Sequence, residues 1–228
     1  STLRFSEEDS GRPGAPVVWQ AEGVKIRGGV DVGPWLEIEE GVVSAPIPVD
    51  ETGSLRSMDM LFVNGKRAVR SVLPKNRGSF TIPGGEDDSR FELVSTNALG
   101  AVTYAREYTR LNEDAAAILD AVPDNELADV QMQIRLDWTQ ARRRVVGWNR
   151  VRREVLTEAF GGKSRVSNNR WCKRSAIRFE NVRAAFTEPG EWFYDRVNKR
   201  VLYRLRAGEE PSSVRAIAPV GRLSKLLV

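Results

Sequence analysis

The chain contains no histidine. That absence removes the commonest general base near neutral pH and the commonest zinc and copper ligand, closing Ser-His-Asp, Cys-His and zinc-hydrolase chemistry. A single cysteine, Cys172, excludes a disulfide within the chain and leaves the redox compartment open. No stretch approaches the roughly 18 apolar residues of a membrane-spanning helix, and Ser1 opens the sequence without an apolar leader, so no membrane contact is expected. No residue pattern calls for a metal or a cofactor. What remains for catalysis is a carboxylate pair, a lysine or a tyrosine.

What is present is enough to build a core: 228 residues at 41% hydrophobic content allow one large or two modest domains. Net charge is only +4, but it is unevenly spread. Residues 135–178 hold 13 Lys/Arg against 3 Asp/Glu, a local +10 that leaves −6 on the rest. A basic segment on an acidic body suggests an anionic partner: nucleic acid, acidic polysaccharide or an acidic neighbouring domain.

The densest aromatic material lies in residues 188–205. Glu188-Pro189-Gly190 opens it, residues 191–195 read as a strand, Asn198 is the left-handed turn residue, and residues 201–205 return. Alternation puts Trp192 and Tyr194 on one face and Phe193 on the other. An isolated hairpin is barely stable in water, so this one must dock on a larger sheet.

Around it the pattern is of short strands. Residues 3–5, 16–20 and 24–27 are apolar and separated by turns, which suits rungs of a parallel β-helix; the edge of a β-sandwich has the same pattern. Residues 35–48 and 58–72 read as further strands, the latter holding an Asn64-Gly65 hairpin turn. Residues 74–89 read as a loop, and 91–94 and 102–106 as strands. One sizeable helix is expected over 111–122, with Asn112 as cap, Glu113 and Asp114 in the first turn and Pro123 as stop. In 130–136, Val130, Met132, Ile134 and Leu136 alternate with Gln131, Gln133 and Arg135, as in an antiparallel strand with one wet face. Residues 143–148 and 151–157 form a basic ribbon about Asn149-Arg150; 161–170 is loop, 171–179 a strand and 181–186 a short helical turn. A polar turn at 208–213 precedes short strands at 216–220 and 223–228, the last an apolar run expected to stack on further chain of a longer protein.

Glu8-Asp9-Ser10-Gly11 followed by Ala15-Pro16-Val17-Val18-Trp19, Ile26-Arg27-Gly28-Gly29 and Trp35, then Leu61-Phe62-Val63-Asn64-Gly65-Lys66-Arg67-Ala68, form a familiar order. Trp138 with Arg142, Phe179-Glu180-Asn181-Val182, Pro189-Gly190-Glu191-Trp192-Phe193-Tyr194-Asp195 and Ala218-Pro219-Val220 continue it. In this order the chain resembles bacterial right-handed parallel β-helix repeat proteins of the glycoside hydrolase type, such as β-xylosidases and α-L-fucosidases. The resemblance implies an all-β fold. It makes residues 1–35 early coils of the helix, 36–215 an inserted antiparallel β-sandwich-like domain with one short helix, and 216–228 the strand returning to the coils. It places the catalytic carboxylates on later coils, beyond Val228. The sequence departs from the pattern over residues 80–129.

Glycoside cleavage needs two carboxyl groups about 5 Å apart for retention, or roughly 6.5 to 9.5 Å apart for inversion. Glu188, Glu191 and Asp195 are the carboxylates set among aromatics, but each adjoins a turn, and no catalytic residue is assigned in this chain. The expected function is to shape the substrate cleft of a secreted or periplasmic carbohydrate-active enzyme acting on a complex polysaccharide, acidic ones included. Its partners are then that glycan and the rest of the parent β-helix. Arginine pairs bidentately with carboxylates and aromatic rings stack on sugars, so Trp138, Arg142, Arg144, Trp148, Trp171 and Arg174 in the basic segment are the candidate binding residues. The alternative is a non-catalytic glycan-binding or structural β module. Nucleic acid ranks below glycan, because the basic residues fall on both ribbon faces and no nucleic-acid motif is present. A polysaccharide lyase using arginine or lysine as base is a third possibility that no residue singles out.

Overall fold

In a computed structural model of the protein, the described residues are 6–18, 22–23, 28–75, 78–81, 89–96, 102–135, 140–158 and 176–219. The strands, numbered in chain order, begin with β1 (Val30–Val32), β2 (Leu36–Glu39), β3 (Val42–Pro46), β4 (Phe62–Val63), β5 (Lys66–Arg67) and β6 (Val69–Arg70). β7 (Val72–Leu73), β8 (Phe80–Thr81), β9 (Ser89–Thr96), β10 (Val102–Arg110), β11 (Gln131–Arg135) and β12 (Gln140–Asn149) follow. The last are β13 (Glu154–Glu158), β14 (Ala176–Glu180), β15 (Glu191–Asp195), β16 (Arg200–Arg204) and β17 (Ala216–Ala218). Two helices, α1 (Glu113–Asp120) and α2 (Asp124–Leu127), lie between β10 and β11. The fold is all-β with little helix.

The aromatic hairpin is β15 and β16, and it forms the middle of a five-stranded sheet ordered β2-β3-β16-β15-β6. The expected alternation holds. Trp192, Tyr194, Val201 and Tyr203 face a core completed by Val32, Val63, Ala216 and Ala218 of a four-stranded sheet ordered β1-β17-β4-β5, so the two sheets pack as a sandwich. Phe193 and Leu202 face the other way, into a smaller cluster with Val42 and Phe186. The left-handed turn residue is Lys199, at φ 57°, and not Asn198. Asn198 instead closes the turn on Asp195, donating to it from its backbone N–H at 3.0 Å and from Nδ2 at 2.9 Å.

A larger sheet of eight strands, ordered β7-β14-β11-β12-β13-β10-β9 with β8 also on β14, carries the second core. Met132, Ile134, Val145, Val155, Ile177 and Phe179 point to one side and are covered by Leu111, Ala115, Ala116, Leu119 and Val122 of the α1 region. Asn112 caps α1 by accepting the Ala115 N–H at 2.9 Å. Pro123 does more than stop the helix: its carbonyl accepts the Glu126 and Leu127 N–H groups and starts α2.

Several expectations are corrected. No parallel β-helix coil occurs among the described residues. β1 runs antiparallel to β17, with Val30 opposite Ala218 and Val32 opposite Ala216, and β17 is antiparallel to β4. The ends of the two segments therefore meet, in the orientation opposite to a rung. β6 beside β15 is the parallel pair among the described strands. Residues 35–48 are a hairpin, β2 and β3 about Gly41 at φ 71°, because only glycine takes that conformation without strain. The ribbon turn lies at 150–153, one to three residues past the expected Asn149-Arg150. The side of β11 expected to be wet is partly dry: Gln133 is buried and donates to Glu180 at 3.0 Å. Residues 16–18 form no strand, and the expected elements at 3–5, 24–27, 161–170 and 223–228 lie outside the described residues.

Candidate functional site

Register brings the polar side of the eight-stranded sheet together. Arg144, Gln131 and Glu180 are cross-strand neighbours on β12, β11 and β14, and Arg142, Gln133 and Arg178 form the next row. Alternation forces this arrangement, since Met132, Ile134, Ile177 and Phe179 must point into the core. Against this side stands β6 of the sandwich. The result is a cleft of about 230 Å³, lined by Arg70 and Trp192 on one wall, Arg142, Arg178 and Glu180 on the other, and Asp59 at the mouth.

Glu180 is buried in the cluster, accepting from Gln133 and lying 3.0 Å from Arg142 Nε. Arg70 is 8% exposed. Its guanidinium stacks 5.0 Å from the Trp192 ring centroid and its Nε reaches Asn181 Oδ1 at 3.4 Å. Its Nη1 has no hydrogen-bond acceptor; Asp59 Oδ1 stands 3.7 Å away, ion-paired but beyond hydrogen-bond reach. Arg178 donates from Nη2 to the Pro74 carbonyl at 3.0 Å, and its buried Nε also lacks an acceptor. Burial pushes both guanidinium pKa values down; Glu180, with Asp59 at Arg70, offsets this only in part. Both remain charged at neutral pH.

A second hollow, of about 870 Å³, is lined by Trp35, Asp31, Asn64, Ser212, Arg215 and Ile217. The half-buried indole of Trp35 is fixed: Nε1 donates to the Val32 carbonyl at 2.8 Å, and its ring meets Tyr203 edge-on at 6.2 Å and 67°. Asn64 and Arg215 are tied by two hydrogen bonds, Asn64 N–H to Arg215 O at 2.8 Å and Arg215 N–H to Asn64 Oδ1 at 3.0 Å. The Asn64-Gly65 turn has both residues at positive φ, 50° and 77°, as expected of that dipeptide. A planar aromatic beside polar groups suits a sugar ring.

Of the residues singled out in the sequence, Arg142 lines the cleft and Arg144 is exposed in the row beside it. Trp148 is placed elsewhere, against the α1 core, with Nε1 donating to Asp120 at 2.8 Å. Trp138, Trp171 and Arg174 lie outside the described residues. Arg70, Arg178 and Trp35 were missed as site residues. Arg178 was legible, since it alternates with the core residues Ile177 and Phe179. Arg70 was not, because a two-residue strand carries no periodicity.

The hairpin carboxylates do structural work. Glu191 pairs with Lys75 and accepts the Thr187 and Glu188 N–H groups at 2.9 and 3.0 Å. Asp195 accepts from Arg183 Nη2 at 2.7 Å as well as from Asn198. Among the described residues no cluster of three or more His, Cys, Asp or Glu is placed to hold a metal, and no helix is long and apolar enough to cross a membrane.

No protein-family profile matches the chain, and no curated protein matches it. A solved structure described as a glycoside hydrolase shares the fold, with a TM-score of 0.55 at 19% identity over 88% of this chain. The chain spans 32% of that structure's length, about a third of it.

Proposed function

We propose that this chain is a substrate-shaping portion of a longer carbohydrate-active protein, a glycoside hydrolase whose catalytic carboxylates lie outside it. The protein acts on a complex polysaccharide outside the cytoplasm. The observation that carries this reading is the Trp35 hollow, a fixed aromatic plane with polar neighbours in a space large enough for one or more sugar rings. The shared fold with part of a glycoside hydrolase supports it. The engagement of Glu191 and Asp195 in turns and ion pairs supports a binding role over a catalytic one.

The test is affinity electrophoresis of the chain through gels cast with the neutral polysaccharides arabinoxylan, arabinan and galactan. Retardation by at least one polysaccharide is expected, and it should be lost in Trp35→Ala and largely kept in Trp35→Phe, with thermal melting confirming that both variants fold. Migration unaffected by every polysaccharide removes the proposal.

A further inference from the structure

We infer that the cleft between β6 and β14 binds the carboxylate of an acidic sugar, a uronic acid residue, through N–H groups of Arg70 and Arg178 that lack a hydrogen-bond acceptor. The inference rests on the carbohydrate reading above and names a substrate class for a second place on the surface.

Six charged side chains meet the cleft: Arg67, Arg70, Arg142 and Arg178 against Asp59 and Glu180, an excess of two positive charges. Glu180 is already engaged by Arg142 and Gln133. A buried guanidinium without its full set of acceptors is costly, so the native chain leaves an electrostatic demand unmet here. Arg70 Nη1 and Arg178 Nε are both buried and both lack acceptors. Carboxylate is the group that matches guanidinium N–H donors in shape and charge. The walls contributed by Ala68, Val72 and Trp192 are apolar, which suits the body of a sugar ring behind its carboxylate.

Asp59 explains how such a ligand enters. Its side chain is 60% exposed, and it approaches Arg70 only to 3.7 Å while accepting from Gln131 at 3.1 Å. It stands at the mouth as a loosely held internal carboxylate. An incoming uronate displaces it, taking Arg70 at hydrogen-bond distance while Asp59 turns to water. Asp59 therefore competes with the ligand, and its removal has the opposite effect to removal of an arginine.

The experiment is calorimetric titration of the chain with digalacturonate, with its methyl ester, with neutral galactobiose and with a hexaglutamate peptide. Saturable binding of digalacturonate is expected, with the ester and galactobiose weaker by about tenfold or more, as for loss of a charged hydrogen bond. Arg178→Gln should weaken digalacturonate binding by a similar factor and Asp59→Asn should strengthen it. Arg70→Lys, which keeps the positive charge beside Trp192 but loses the planar guanidinium and its N–H fork, should weaken it too, with melting curves confirming the fold. Equal affinity for acid and ester, or Asp59→Asn and Arg178→Gln moving affinity in the same direction, overturns the inference. Hexaglutamate bound in preference to digalacturonate overturns it in favour of an acidic protein partner. The two readings fail separately. If no gel retards the chain yet digalacturonate binds with these signs, the Trp35 reading alone falls; if gels retard it and the arginine variants bind as the parent does, this inference alone falls.

Discussion

Asn181 pairs its side-chain amide with the backbone of Tyr194, Nδ2 donating to the Tyr194 carbonyl at 3.0 Å and Oδ1 accepting the Tyr194 N–H at 2.8 Å. On this edge of β15 the partner strand β6 has already ended, its last ladder bond being Ser71 N–H to the Trp192 carbonyl at 2.9 Å. A side chain thus continues the ladder for one residue. Asn181 sits at φ 61°, a conformation asparagine tolerates better than most residues. Asn181→Ala should cost about 2 to 5 kcal/mol in urea unfolding, because it strands two buried backbone groups at once. A loss below about 1 kcal/mol would mean that water replaces the amide.

The pairing of Lys75 with Glu191 predicts an order of effects. The Glu191 side chain is 4% exposed and that of Lys75 is 20% exposed, so the lysine reaches water if its partner is lost and the carboxylate does not. Lys75→Met should therefore destabilise more than Glu191→Gln, and up to about 3 to 5 kcal/mol for a buried charge left unpaired. Denaturant midpoints that rank the two variants the other way would contradict this account.

Acid stability should follow Asp195. Burial raises its carboxyl pKa, but hydrogen bonds from Arg183 and from the Asn198 side chain and backbone outweigh that and hold it below its ordinary value. A carboxyl lowered in the folded state contributes stability that is present above its unfolded pKa, about 3.9, and is lost as pH falls through the lowered folded value. Melting temperature should therefore fall below about pH 4 more gently in Asp195→Asn than in the parent. Parallel pH profiles for the two proteins would exclude Asp195 as a contributor.

Gly29 is required by close approach and not by an unusual φ. A Cβ there would lie 2.6 Å from the Ala218 carbonyl oxygen and 2.7 Å from Ile217 Cγ2. Gly29→Ala should force β1 away from β17 and expose Val32 and Ala218, raising dye binding to apolar surface and lowering the melting temperature. An unchanged melt would show that β1 shifts without loss of pairing.

Glu191 and Asp195 should not serve as a catalytic pair for cleaving aryl glycosides. Glu191 and Asp195 are four residues apart on one strand, about 13 Å along it, which is wider than either hydrolytic geometry allows. Turnover abolished by Glu191→Gln or Asp195→Asn would refute this.

The strands whose side chains alternate between core and surface were readable in the sequence, and so were turns set by a single dipeptide. β15 fell where expected because five residues of Glu-Trp-Phe-Tyr-Asp leave one register open, and Asn64-Gly65 turned because both residues accept positive φ. The direction in which β1 meets β17 was not readable. Three-residue strands carry no signal for parallel or antiparallel pairing, and repeated short apolar runs serve a coil and a sandwich edge equally. The cleft was half readable. Arg142 stood out by charge density, whereas Arg70 becomes significant only when β6 is laid against Trp192 and the far sheet is brought across it. Sequence-distant pairing of this kind leaves no local pattern.

All five residues of β15 are buried, and its neighbours on both sides are occupied, by β16 along one edge and by β6 and then Asn181 along the other. Its amides consequently have no route to solvent through fraying. In deuterium exchange the amides of Trp192, Phe193 and Tyr194 should be among the last to be labelled, at rates set by opening of the whole sandwich. The same amides then report the global unfolding free energy directly, and a bound glycan should slow their labelling by stabilising the folded state as a whole.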